Sequence, residues 1–339
     1  MKNTIDPYWY VSAFEVYTDS TPDVFANGHQ QVKLTVGVKA INGEGQEVAL
    51  TPTEVANTKM VMYRRVDQVL PFDHFDSLGW SVSRHYQGYD YFPRARPAND
   101  RPVSAGQPTL KNQDKAFHYY EFYVSCNALS AVGQTVDLAF MVKGDNGDKF
   151  CTNGQSWYAD GTSHNSPPPQ QPYARIHVHR PKSYPVDNFI LSALTDMPDS
   201  PTLGAIRNRL ATLSLQESAT HTIALRETTL SPEGMIQWST PLEADTHASF
   251  TGYVEPGRTE INWNKQTAVP TGNIPLPELK TPIVDKASLI LCTRVDIKRT
   301  PDVFSGPCPV SIVDAYGTHH RLKVQFKLGD RHVLELMPA

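Results

Sequence analysis

The sequence predicts an all-β protein built from two antiparallel β-sandwich domains, with one short helix near 201–212. Three observations carry that expectation. Val32, Leu34, Val36, Val38 and Ala40 alternate with Lys33, Thr35, Gly37 and Lys39, the period-two signature of a strand with one buried face. The 27 prolines in 339 residues are spread throughout, which argues against long helices and for short strands joined by stiff turns. Finally, Thr21-Pro22-Asp23-Val24-Phe25 returns near the far end as Thr300-Pro301-Asp302-Val303-Phe304, which suggests one β-unit used at both ends of a two-part chain.

Bulk properties bound the function. At 40% hydrophobic and 19% charged residues the chain is globular, and it is long enough for two substantial cores. A formal net charge of −4 provides no basic footprint, so nucleic acid is not an expected partner. Met1-Lys2-Asn3-Thr4-Ile5-Asp6-Pro7 has no apolar run suited to a signal peptide, and no segment approaches the roughly 18 apolar residues of a membrane span. The expectation is a protein synthesised soluble in the cytoplasm, leaving the cell, if at all, through a dedicated export system or lysis. A meander over 119–151 would place Cys126 and Cys151 beyond disulfide reach, and Cys292 and Cys308 also miss each other in a plain hairpin. All four cysteines therefore read as thiols packed as small hydrophobes.

Residues 7–17 are aromatic and β-branched enough for a first strand. Pro22 and Asp23 turn the chain, the alternating strand 31–40 follows, and Asn42-Gly43-Glu44-Gly45 makes the next turn. Further strands are expected at 46–51 and at Lys59–Tyr63. Phe25-Ala26-Asn27-Gly28, the Val32–Ala40 alternation, Asn42-Gly43 and Val48 together resemble the bacterial Ig-like repeats of the invasin and intimin adhesins, over about residues 20–50. The resemblance implies an Ig-like sandwich and a bacterial protein that works by contact.

Residues 67–118 break the strand rhythm with a crowd of rings and charges, including Trp80, His85, Tyr86, Tyr89, Tyr91, Arg94 and Arg96. Tyr, Trp and Arg are the residues of interface anchors and of sugar-stacking platforms, and loops carry function on rigid scaffolds. These seven are the candidate binding residues; the bland alternative is that the rings seal one end of a sandwich. Strands then follow at 120–125 and 135–142, with Gly144-Asp145-Asn146-Gly147-Asp148 as a hairpin turn and not a calcium loop, since it lacks the alternating ligands and closing Glu. The polar, proline-rich stretch 160–172 reads as a connector, giving domains 1–159 and 173–339 with 67–118 as an insertion in the first.

The second half opens with a strand at 173–179. Ser200-Pro201 resembles a helix start, and Leu203, Ile206, Arg207 and Leu210 continue at helical spacing, hence the helix near 201–212. Short strands are expected at 221–226, 235–239, 249–254 and 260–263. A proline-rich crossing at 270–282 separates them from a final alternation of Leu322, Val324, Phe326 and Leu328 and a last strand at 332–337.

Motifs for chemistry are sparse. Gly154-Gln155-Ser156-Trp157-Tyr158 lacks the second glycine of a serine-hydrolase elbow, and there is no phosphate loop, dinucleotide fingerprint or zinc-ribbon cysteine spacing. His177 and His179 lie two apart on a strand and so share a face, which makes them the candidate metal ligands, with His319, His320 or Asp314 as further donors if that sheet lies alongside. The favoured expectation is a non-enzymatic interaction protein, without cofactor, that binds a protein or glycan surface. The alternatives are a self-assembling subunit of a larger bacterial particle and a metal-dependent enzyme using His177 and His179.

Overall fold

The computed structural model describes residues 9–93, 117–165, 172–197, 206–238, 246–263, 281–299, 307–328 and 330–339. Their regular secondary structure is almost entirely strand, and the chain divides into two compact units, Met1–Pro181 and Lys182–Ala339.

The first unit contains β1 (Trp9–Thr18), β2 (Asp23–Phe25), β3 (Val32–Asn42), β4 (Glu47–Val48), α1 (Pro52–Ala56), β5 (Lys59–Met62), β6 (Arg65–Val69), β7 (Trp80–Ser83), β8 (His118–Cys126), β9 (Thr135–Lys143), β10 (Lys149–Cys151), β11 (Gln155–Trp157), β12 (Ser163–Asn165) and β13 (Ala174–His179). One sheet runs β1-β3-β8-β7 with β4 on β3; the other runs β12-β11-β10-β9-β13-β2 with β5 on β9 and β6 on β5. Their inner faces meet in one apolar core. Phe14 and Phe122 of the first sheet pack on Phe140 of the second at ring distances of 6.5 and 5.3 Å. The alternation of β3 is explained here: Val32, Leu34, Val36 and Val38 are fully buried on that inner face.

Among the described strands only β2 departs from the antiparallel pattern, pairing parallel to β13 through Val24↔Val178. Asp23-Val24-Phe25 is thus a strand and not the turn expected of it, while the second copy at 300–304 lies outside the described residues. The same pairing moves the domain boundary. Ala174, Ile176 and Val178 of β13 are buried between β9 and β2 in the first unit, so the break falls after Pro181 and not across 160–172. Residues 118–126 and 135–143 do not form the expected meander either, because β8 and β9 belong to opposite sheets.

The second unit contains β14 (Phe189–Leu191), β15 (Thr195–Asp196), β16 (Ile206–Ser218), β17 (His221–Ile223), β18 (Leu225–Leu230), β19 (Ile236–Trp238), β20 (Thr246–Val254), β21 (Asn262–Trp263), β22 (Ser288–Arg299), β23 (Cys308–Asp314), β24 (His319–Phe326) and β25 (Leu334–Pro338). One sheet runs β14-β16-β22-β20-β19, with β15, β17 and β21 on its margins, and the other runs β18-β23-β24-β25. The helix expected near 201–212 is absent over its described part, where 206–212 lie inside β16. The reason is that the buried Ile206 and Leu210 lie four apart, a spacing that fits one face of a strand as well as one face of a helix, and burial on both sides of β16 removes the plain alternation that would have told them apart.

The short helix that does form is α1. Thr51 caps it, its hydroxyl accepting from the Glu54 N–H while the Glu54 carboxylate accepts from the Thr51 N–H, a reciprocal capping box, with Pro52 at the first turn. All four cysteines are free and buried.

Candidate binding surface

The inner face of β1, β3 and β8 makes the core; the same two-residue period sends the alternate side chains outward as three cross-strand rows. Glu15, Gly37 and Tyr119 form one, Tyr17, Thr35 and Glu121 the next, and Lys33, Tyr123 and Ser83 the third, the last reaching β7. Cross-strand neighbours on one face are the contact units of a sheet, so these rows fix which side chains touch.

Gly37 sets the geometry of the first row. A β-carbon there would stand 2.8 Å from Tyr119 Cε1 and 3.1 Å from Phe117 Cδ1, so only glycine lets the Tyr119 ring lie across the strand. From that position the Tyr119 hydroxyl donates to Glu15 Oε2 at 3.0 Å, and the Tyr17 hydroxyl donates to the same oxygen at 2.6 Å. Glu121 of the second row accepts from two side chains of the third, Lys33 Nζ at 2.6 Å and the Tyr123 hydroxyl at 3.2 Å. The phenols of Tyr17 and Tyr123 are held above their ordinary pKa by burial first and by their carboxylate partners second. At Lys33 burial works to lower the pKa, but the Glu121 carboxylate outweighs it and the ammonium is stabilised. The face is therefore an array of neutral phenols and oriented carboxylates at neutral pH.

The loop 84–93 extends this face. Gln30 and Gln31 are buried at its root, where Gln30 Nε2 donates to the Asp90 carbonyl at 3.0 Å and Gln31 Nε2 to the His85 carbonyl at 3.2 Å. The Gln31 amide oxygen accepts in return from the Gln87 N–H at 2.8 Å. So pinned, the loop stacks Tyr86 on Tyr91 at 5.4 Å and brings Tyr86 within 5.7 Å of Tyr123, joining loop and sheet in one aromatic surface. Tyr10, Tyr17 and Tyr86 remain 45%, 39% and 43% exposed, so their rings are open to a partner.

The expected residues divide accordingly. Trp80 is only 2% exposed and belongs to the core, which corrects its assignment to a binding surface. Tyr86 and Tyr91 join the tyrosine surface, Tyr89 lies 5.2 Å from His29, and His85 is exposed at the loop base. Arg94 and Arg96 lie outside the described residues. Arg84, at the loop's start, turns inward instead. Its guanidinium sits 4.1 Å from the Phe122 ring and donates to the Val55 carbonyl at 3.1 Å, and burial lowers its pKa. Tyr17, Tyr119 and Tyr123, with Glu15 and Glu121, were missed. Their signal was present as tyrosines and glutamates alternating with the apolar residues of β1 and β8.

Among the described residues the histidines are not gathered into a metal centre. His177 Nδ1 lies 3.0 Å from the Thr135 hydroxyl and His179 Nε2 lies 2.7 Å from Asp23 Oδ1. Among the described residues no three His, Cys, Asp or Glu side chains are grouped to hold a metal ion. Asp314 and His320 belong to the second unit and pair with each other there, at 3.0 Å and almost fully buried. Among the described residues no helix is long and apolar enough to cross a membrane.

No family model and no curated protein matches the chain. Among solved structures it is similar to the collagen-binding domain of the Erysipelothrix rhusiopathiae surface protein RspB, at a TM-score of 0.18 and 9% identity, covering 96% of this chain and 94% of that one. A likeness that slight carries no argument about fold or function.

Proposed function

We propose that the chain is a non-enzymatic interaction protein that holds a protein partner on the outer face of β1, β3 and β8 and the adjoining 84–93 loop. The observation that carries this reading is the continuous tyrosine surface, with Glu15 and Glu121 each already oriented by phenol donors. Outward strand positions are ordinarily polar, whereas tyrosine clusters with partly exposed rings are the composition of contact hot spots. Carboxylates set among phenol rings suit a partner surface that presents arginine, whose guanidinium stacks on a ring while its fork meets a carboxylate. The resemblance of residues 20–50 to adhesin repeats agrees with a role in contact.

A glycan and a second copy of this chain are the competing occupants. Light scattering over a wide concentration range separates the second: a constant 37.8 kDa species leaves the face free for another partner, and a growing particle makes this an assembly subunit. Selection of displayed peptides on the immobilised chain then tests the reading. Tyr17→Ala with Tyr86→Ala should weaken the selected binders by roughly 30-fold, the scale of one hot spot of about 2 kcal/mol. Binders indifferent to both substitutions would reject this face, and glycan-array hits lost in the same variant would replace the protein partner with a sugar.

A further inference from the structure

A second surface lies on the other sheet of the first unit, independent of the tyrosine face. There a groove of about 560 Å³ opens where the β5–β6 turn stands beside β9 and β13. The Tyr63 N–H donates to the Asp137 carbonyl at 2.9 Å and holds the turn in place. Three arginines, Arg64, Arg65 and Arg175, border the groove with His177 and the single carboxylate Asp137.

Their engagements differ. Arg175 forks onto Asp137, Nε to Oδ1 at 2.8 Å and Nη2 to Oδ2 at 3.1 Å, and Nη2 also reaches the Tyr173 hydroxyl at 3.2 Å. Its Nη1 is not used in these contacts. Arg65 is bonded only to a neutral oxygen, Gln68 Oε1, at 3.2 and 2.5 Å. Arg64 is exposed and has no hydrogen bond or ion pair among the described residues. One carboxylate therefore offsets one of three guanidinium charges, and the groove is locally cationic on a chain of net charge −4. Met62, Tyr63 and Val136 supply an apolar wall, while Thr135, Asp137 and Gln68 present polar atoms. The groove is open along one side, so a ligand held there would keep one face toward solvent.

We propose that this groove binds a sugar acid, a single pyranose-sized ring bearing one carboxylate. The planar carboxylate fits the guanidinium forks of Arg64 and Arg65. The ring lies on Met62 and Tyr63, and its hydroxyls donate to the lone pairs that the Asp137 carboxylate retains beside its bonds to Arg175. Asp137 also selects on charge, since a phosphate dianion there would face a fixed carboxylate.

The test is calorimetric titration of the full chain with glucuronate, glucose and inorganic phosphate in parallel. Saturable glucuronate binding is expected, at least tenfold tighter than glucose or phosphate. Arg64→Ala with Arg65→Ala, both exposed positions, should weaken it at least tenfold, and Tyr17→Ala on the opposite sheet should leave it unchanged. Absence of saturable glucuronate binding, a preference under tenfold over either control, or an unaffected double variant overturns the proposal. Because the tyrosine face is tested by different substitutions, failure here leaves the proposed function standing.

Discussion

Glu54 joins the first unit's edges at a single buried carboxylate, and replacing it by Gln should be among the most damaging small changes in that unit. The side chain is fully buried. Its Oε1 accepts from the Trp9 indole N–H at 2.7 Å and from the Asp145 N–H at 2.8 Å, and its Oε2 from the Thr51 N–H at 2.8 Å. An amide retains one oxygen, so at best two donors stay satisfied while the third meets an NH2 group. Losing one charge-assisted bond costs roughly 1.5–3 kcal/mol, and the stranded donor adds to this, while removal of a buried charge subtracts from it. A net destabilisation of about 2–3 kcal/mol follows, lowering the melting temperature of a unit this size by roughly 5–10 °C. Urea unfolding of the full chain, followed by native-state hydrogen exchange of first-unit amides, measures it directly. A Glu54→Gln protein within about 0.5 kcal/mol of the parent would refute the claim that this carboxylate ties β1, α1 and the 144–148 turn together.

Three further predictions follow from the same geometry. Gly37→Val should drive Tyr119 off the strand, break its bond to Glu15 and cost about 1–3 kcal/mol; unchanged Tyr119 ring signals by NMR would show that the glycine is not what seats the ring. Arg84→Met should lose both the stacking on Phe122 and the bond to the Val55 carbonyl, for about 2 kcal/mol in denaturant titration, and equal stability would mean the guanidinium only fills space there. Burial pushes the thiols of Cys151, Cys292 and Cys308 up to about 11. An acid whose pKa is raised in the fold keeps its proton longer folded than unfolded, so this stability is fully present below the unfolded value of about 8.5 and is lost as pH rises through about 11. Melting curves from pH 8 to 11 check the sign, and rising stability over that window would contradict it.

How much of this was legible in the sequence depended on how many faces of each strand are buried. β3 carries its core on one face, and the plain alternation of Val32 to Ala40 located it. β16 has apolar neighbours on both sides and so shows no single alternation, and its Ile206 and Leu210, four apart, fit one face of a strand as well as one face of a helix. The domain boundary was misplaced because proline density resembles a linker wherever it occurs, whereas β13 is fixed to the first unit by long-range pairing with β2 that no local pattern reveals. Within the site, Trp80 and Tyr86 have similar local surroundings in sequence, yet one is sealed in the core and the other exposed. Trp80 is sealed by the pairing of β7 with β8, whereas Tyr86 sits on the loop that Gln30 and Gln31 pin through carbonyls more than fifty residues away. Polar side chains that position a distant loop leave no periodic signature.

The most direct test of the central claim is the affinity of peptides selected on the full chain, measured against the parent protein and against Tyr17→Ala with Tyr86→Ala. The account predicts arginine-bearing binders that lose roughly 30-fold in affinity for the variant while its circular dichroism and melting remain those of the parent. Binders of equal affinity for both proteins would contradict it and place the contact surface elsewhere on the molecule.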